Sequence, residues 1–142
     1  MRRDYFTVDI HHDTDDGIPA IRIAYEGPPG ELRDRLTTTA ETTPEAGDID
    51  VTFRRQAATN DGVLALTERM TGEFIFEVTA AVKDVERLVE AAQNGDTDGQ
   101  YEVRVTDSDG KSLVYDKRTL LVYGHDGSLL REESLIPGSV EL

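Results

Sequence analysis

The strongest constraint on how this chain can fold is a hydrophobic period of two that returns in stretch after stretch. In DYFTVDI, Phe6, Val8 and Ile10 fall on one face and Tyr5, Thr7 and Asp9 on the other. AIRIAYE repeats the pattern with Ile21, Ile23 and Tyr25, and DIDVTFR with Ile49, Val51 and Phe53. EFIFEVT offers Phe74, Phe76 and Val78, and QYEVRVT offers Tyr101, Val103 and Val105. Successive side chains of a strand point to opposite faces, so each stretch predicts a half-buried strand. Such alternation suits antiparallel sheets, because strands of a parallel sheet are usually covered on both faces and apolar throughout.

One segment follows a different period. In TAAVKDVERLVEAAQNG, Val82, Val85, Leu88, Val89 and Ala92 recur at spacings of three and four, which makes one apolar stripe on a helix. Thr79 is placed to cap it and Gly95 to end it. Asn60-Asp61-Gly62, Asp109-Gly110 and Asp126-Gly127 lie between strand-like runs and predict tight turns. Residues 27–47 are less regular. Pro28-Pro29-Gly30 breaks the chain, ELRDRL suits a short helix or a strand, and TTTAETTPEAG reads as a mobile polar loop.

The expected fold is therefore α+β: a twisted antiparallel sheet of about eight strands with one amphipathic helix packed on one face. A β-sandwich with one helix is the alternative. At 142 residues the chain suits a single domain spanning 1–142.

Composition bears on compartment and partners. The absence of cysteine excludes disulfides, thiol chemistry and zinc–thiolate sites. No apolar run approaches the ~20 residues of a membrane-spanning helix, and the start MRRDYFTVDIHHD has no apolar secretory core. The expectation is a cytoplasmic protein that does not bind membranes. Twenty-nine acids against fifteen bases give a net charge of −14, and only Lys83, Lys111 and Lys117 are lysines. The acids are dispersed among apolar residues, which argues for a folded domain with an acidic shell, not a disordered tail. Such a shell repels itself in dilute buffer. At ~1 M salt the screening length is roughly 3 Å and the repulsion fades, so the composition points to a salt-rich, halophilic setting. Nucleic acid is disfavoured as a partner, because there is no basic stripe to displace counterions.

Two stretches resemble metal sites. HHDTDDG, residues 11–17, sets two imidazoles beside three carboxylates. Neighbouring residues of a strand point to opposite faces, so His11 and His12 are poorly placed to share an ion, and the stretch reads as a hairpin tip. NGDTDGQYEVRV has Asn94, Asp96 and Asp98 at positions one, three and five of a calcium-binding loop and Gly99 at position six. Its twelfth position is Val105, where a bidentate glutamate belongs. Asn94, Asp96 and Asp98 are the candidate cation ligands. The competing reading is a helix ending at Gly95 and a polar loop.

No nucleophile elbow, phosphate-binding loop, zinc-protease motif or dinucleotide fingerprint is present, so no catalytic residue or cofactor is assigned. The YDKRTLLVYG stretch places Tyr115, Lys117, Arg118 and Tyr123 close together as a candidate anion or partner contact. A cryptic enzyme would draw on His125, Tyr123, Lys117 and Arg118 around a pocket. The default is a non-enzymatic binding or interaction module, with a protein partner or second copy joined through a sheet edge. A calcium-binding domain is the alternative.

The ending YDKRTLLVYGHDGSLLREESLIPGSVEL, with RRDYFTVDI at the start and RMTGEFIFEV in the middle, resembles an uncharacterised family of small halophilic-archaeal proteins. The resemblance covers most of the chain. It implies a salt-rich cytoplasm, and it implies no activity, cofactor or site residue.

Overall fold

A computed structural model describes residues 5–11, 17–28, 49–57, 59–69, 74–94, 99–110 and 112–136. The class is α+β, with eight strands and a single α-helix among the described residues. The strands divide between two mixed sheets of four. The first sheet has the order β1 (Phe6–His11), β2 (Ala20–Tyr25), β6 (Tyr101–Thr106), β7 (Ser112–Lys117). The second has the order β5 (Phe74–Ala81), β4 (Asp61–Glu68), β3 (Ile49–Arg55), β8 (Leu121–Tyr123). Each holds one parallel pair, β2 with β6 and β3 with β8, and the remaining pairs are antiparallel. Both parallel pairs join strands distant in sequence, as the crossover geometry of parallel strands requires.

Helix α1 (Val82–Asn94) runs between β5 in one sheet and β6 in the other and packs on β1 and β5. It buries Val85, Leu88, Val89 and Ala92, the stripe set by the three-four spacing. These residues share one apolar core with Ile21, Ile23, Phe53, Leu64, Leu66, Val103 and Leu120 from both sheets. The Phe6 and Phe76 rings stack across the sheets at 4.7 Å. Complete burial of each large apolar side chain contributes about 1.5–3 kcal/mol, which makes this shared core the main source of cohesion.

The first hairpin has the register its alternation predicts. Phe6 lies opposite Tyr25, Val8 opposite Ile23 and Ile10 opposite Ile21. Residues 12–16, expected from the sequence to form its tip, lie outside the described residues, as does the 29–48 stretch that contains ELRDRL and the threonine-rich segment.

Two local expectations are corrected. Thr79 does not cap the helix: it pairs with Val63 inside β5, and the ladder holds the backbone extended as far as Ala81 opposite Asp61. The chain turns directly from strand to helix, with the Val82 amide donating to the Asn60 carbonyl at 2.8 Å. Phe74 is not a core residue. The β4–β5 register shifts at Leu66/Thr67, so Ile75 is an extra residue between Phe74 and Phe76. This bulge buries both Ile75 and Phe76 and leaves Phe74 58 % exposed.

Candidate functional site

The outer face of the second sheet is concave. Across its strands two rows of side chains share this face. One runs Glu77, Ala65, Thr52, and the other Val63, Arg54, Tyr123. Ala65, Val63 and Thr52 are short, so the middle of the face sits low. Phe74 and Glu77 rise on the β5 side, and Tyr123, His125 and Gly127 on the β8 side. The result is a groove of about 580 Å³. A recess of about 290 Å³ adjoins it, lined by Thr59, Asn60 and Val82 and sharing Arg55, Gln56, Ala57 and His125 with the groove. Sites for small molecules occupy roughly 300–1,000 Å³.

The wall on the β8 side is a tight turn. The Gly127 amide donates to Gly124 and the Gly124 amide to Ser128, at 3.0 and 2.8 Å. Gly127 takes φ +85°, a conformation that glycine adopts without a steric penalty. The Ser128 hydroxyl and amide donate to the Asp126 carboxylate and hold it below the usual carboxylate range, with neighbouring His125 adding a smaller effect. His125, which precedes Asp126 in this turn, lines the groove.

The electrostatics of the floor centre on two adjacent arginines with different partners. Arg55 pairs with Glu86 of α1 at 2.7 Å and with Glu133 of the 3-10 turn Arg131–Glu133. Arg54 makes no ion pair among the described residues; its Nη2 donates only to the His125 carbonyl, at 3.3 Å. In a chain with 29 acidic residues, a cation in a concave site that forms no ion pair among the described residues is the distinctive feature.

A family described as one of unknown function, DUF5793, matches residues 1–142. The chain belongs to that family. No curated protein and no solved structure matches it. For this DUF5793 chain the site is therefore read from its own residues.

The structure separates the four residues of the candidate anion contact. Tyr115 and Lys117 point inward from β7 and are buried. The Lys117 ammonium donates to the Ile49 carbonyl at 2.6 Å, a structural bond between the sheets. Arg118 is exposed just beyond β7. Tyr123 lies on the other sheet, where it joins His125 in the groove. Among the described residues, the groups with shifted pKa values, Tyr101, Tyr115, Lys117 and Asp126, lie outside the groove lining.

Of the candidate cation ligands, Asn94 is the exposed last residue of α1, and Asp96 and Asp98 lie outside the described residues. Val105, the twelfth position of that loop, is buried in β6. His11 bonds Asp9 at 3.0 Å, and His12 lies outside the described residues. Among the described residues no cluster of three or more His, Asp or Glu side chains is arranged to hold a metal ion, and no helix is long and apolar enough to cross a membrane.

Sequence reasoning singled out Tyr123 and His125 and missed Arg54, Thr52, Ala65 and Phe74. A signal existed. Val63-Leu64-Ala65-Leu66 is apolar at every position and departs from the alternation of the other strands. A strand of that kind has apolar side chains on its outer face as well.

Proposed function

We propose that this protein is a non-enzymatic binding module of a salt-rich cytoplasm, and that the groove on the outer face of the second sheet is its binding site. The observation that carries the reading is the Arg54 guanidinium, without an ion-pair partner among the described residues, set beside the low floor of Val63, Ala65 and Thr52. Small-molecule sites combine an apolar bed with a few fixed polar groups in this way. A catalytic reading lacks support. Among the described lining residues Thr52 is the only hydroxyl nucleophile besides Tyr123, and His125 makes no side-chain hydrogen bond among the described residues that would orient it as a base. The net charge of −14 and the three lysines support the salt-rich setting.

The test is ligand-observed NMR of the chain with a set of small organic fragments in molar KCl. The expected result is saturation transfer to a subset of fragments, lost in Thr52→Phe and Ala65→Phe variants that still melt cooperatively. Fragments that bind equally well when the floor is filled would place the binding site elsewhere.

A further inference from the structure

We infer that the groove takes a small monoanionic organic acid, with its carboxylate on Arg54 and its apolar body, an aromatic ring above all, on the Val63–Ala65 floor between Phe74 and Tyr123. This inference rests on the reading of the groove as the binding site and names its ligand class.

Four observations carry it. First, Arg54 and Tyr123 stand side by side in the β3–β8 register, and Val63 flanks Arg54 on β4. A guanidinium between an aromatic ring and an aliphatic side chain is a natural receptor for a carboxylate attached to an apolar body, because its planar fork matches both carboxylate oxygens. Second, the charge is limited to one. Arg55 is already matched by Glu86 and Glu133, so Arg54 is left as the one arginine in the lining to meet a ligand charge, and a second negative charge on the ligand finds no arginine to match it. Third, the volume of about 580 Å³ suits a molecule of one or two rings and is too small for a folded partner to enter. Fourth, the bulge at Ile75 places Phe74 outside the core at the groove edge, 58 % exposed, where its ring lines the groove beside a bound ring. A polyanion such as nucleic acid fits neither the size nor the single unneutralised charge.

The experiment titrates the full chain in molar KCl at neutral pH with benzoate, benzamide and phenyl phosphate, following backbone amide shifts. Benzoate is expected to move the amides of Arg54, Ala65, Tyr123 and His125. Benzamide, equal in shape and uncharged, is expected to bind about tenfold more weakly, the scale of a lost charge-assisted hydrogen bond. Phenyl phosphate is expected to bind more weakly than benzoate. Arg54→Gln should lower benzoate affinity about tenfold without changing the melting temperature, and Arg54→Lys should recover part of the loss.

Equal binding of benzoate and benzamide overturns the anion assignment while the groove remains the site. Tighter binding of phenyl phosphate overturns the carboxylate assignment in favour of a phosphoryl ligand. Groove amides that move on dilution of the protein and not with benzoate assign the face to a second copy and overturn the proposal. If none of the three compounds moves any groove amide, the groove itself fails as the site.

Discussion

Lys117 and Ile49 join the two sheets. The Lys117 ammonium on β7 donates to the Ile49 carbonyl on β3 at 2.6 Å, with the lysine only 7 % exposed. A neutral carbonyl does not cancel the charge. Burial therefore holds the Lys117 pKa below that of an ordinary lysine, Arg69 lowers it further, and Asp50 opposes both. Lys117→Ala is expected to destabilise the fold by about 2–3 kcal/mol, through loss of a charge-assisted bond and of the packed stem. Lys117→Met keeps the stem and removes the desolvation cost, and is expected to cost less than about 1 kcal/mol. Because the unfolded chain holds this proton more tightly, the residue's contribution makes the fold more stable as pH rises from its lowered pKa to that of an ordinary lysine. Urea melts in KCl across alkaline pH check both statements.

Two buried tyrosines differ in one hydrogen bond. The Tyr101 hydroxyl donates to the Thr119 carbonyl at 2.6 Å, whereas the buried Tyr115 hydroxyl has no hydrogen-bond partner among the described residues. Tyr101→Phe is expected to cost about 1 kcal/mol at neutral pH, and Tyr115→Phe to be neutral or stabilising by up to about 1 kcal/mol. Burial raises both pKa values, and the Asp50 charge adds to the effect at Tyr101; Tyr115 is pushed up to about 12. A raised folded pKa means that the unfolded chain ionises first, so stability is complete below pH 10 and falls as pH rises from there. In Tyr115→Phe the fall between pH 10 and 12 should be shallower by one proton. The same urea melts measure it.

Gly62 is required by its neighbours. A Cβ at this position in β4 would collide with the Phe53 ring and the Arg54 carbonyl, and neither is at a flexible chain end. Gly62→Ala is expected to destabilise by about 2–3 kcal/mol, the range of an overpacked core. Because Arg54 follows Phe53 in β3, the variant should also disturb the groove amides in a spectrum of the folded protein.

The sequence revealed what depends on a single element and was silent on what depends on two. The registers of Phe6 with Tyr25 and Ile10 with Ile21, and the helix face of Val85, Leu88, Val89 and Ala92, follow from side-chain period alone. The partition into two sheets does not, because β2 and β6 alternate in the same way whether they meet parallel or antiparallel. Phe74 was misread because a bulge shifts the period by one residue, and nothing local to EFIFEVT announces it. Thr79 was misread because helix-capping chemistry lost to the ladder with Val63. Only Tyr123 and His125 of the groove were legible. Arg54 gains meaning from Val63 and Tyr123, which reach it from other strands.

Salt is expected to act on the whole molecule. With a net charge of −14, thermal stability should climb as KCl rises from millimolar to molar. Calorimetry over that range checks it, and a flat melting temperature would remove the support for a salt-rich setting.

The most direct test of the groove as a ligand site is an amide-shift map of the chain in molar KCl before and after addition of millimolar benzoate. Shifts confined to Thr52, Arg54, Ala65, Tyr123 and His125 on the outer face of β3, β4 and β8 and the turn after β8 are the predicted result. Shifts confined to the first sheet, with these five residues unmoved, would contradict it.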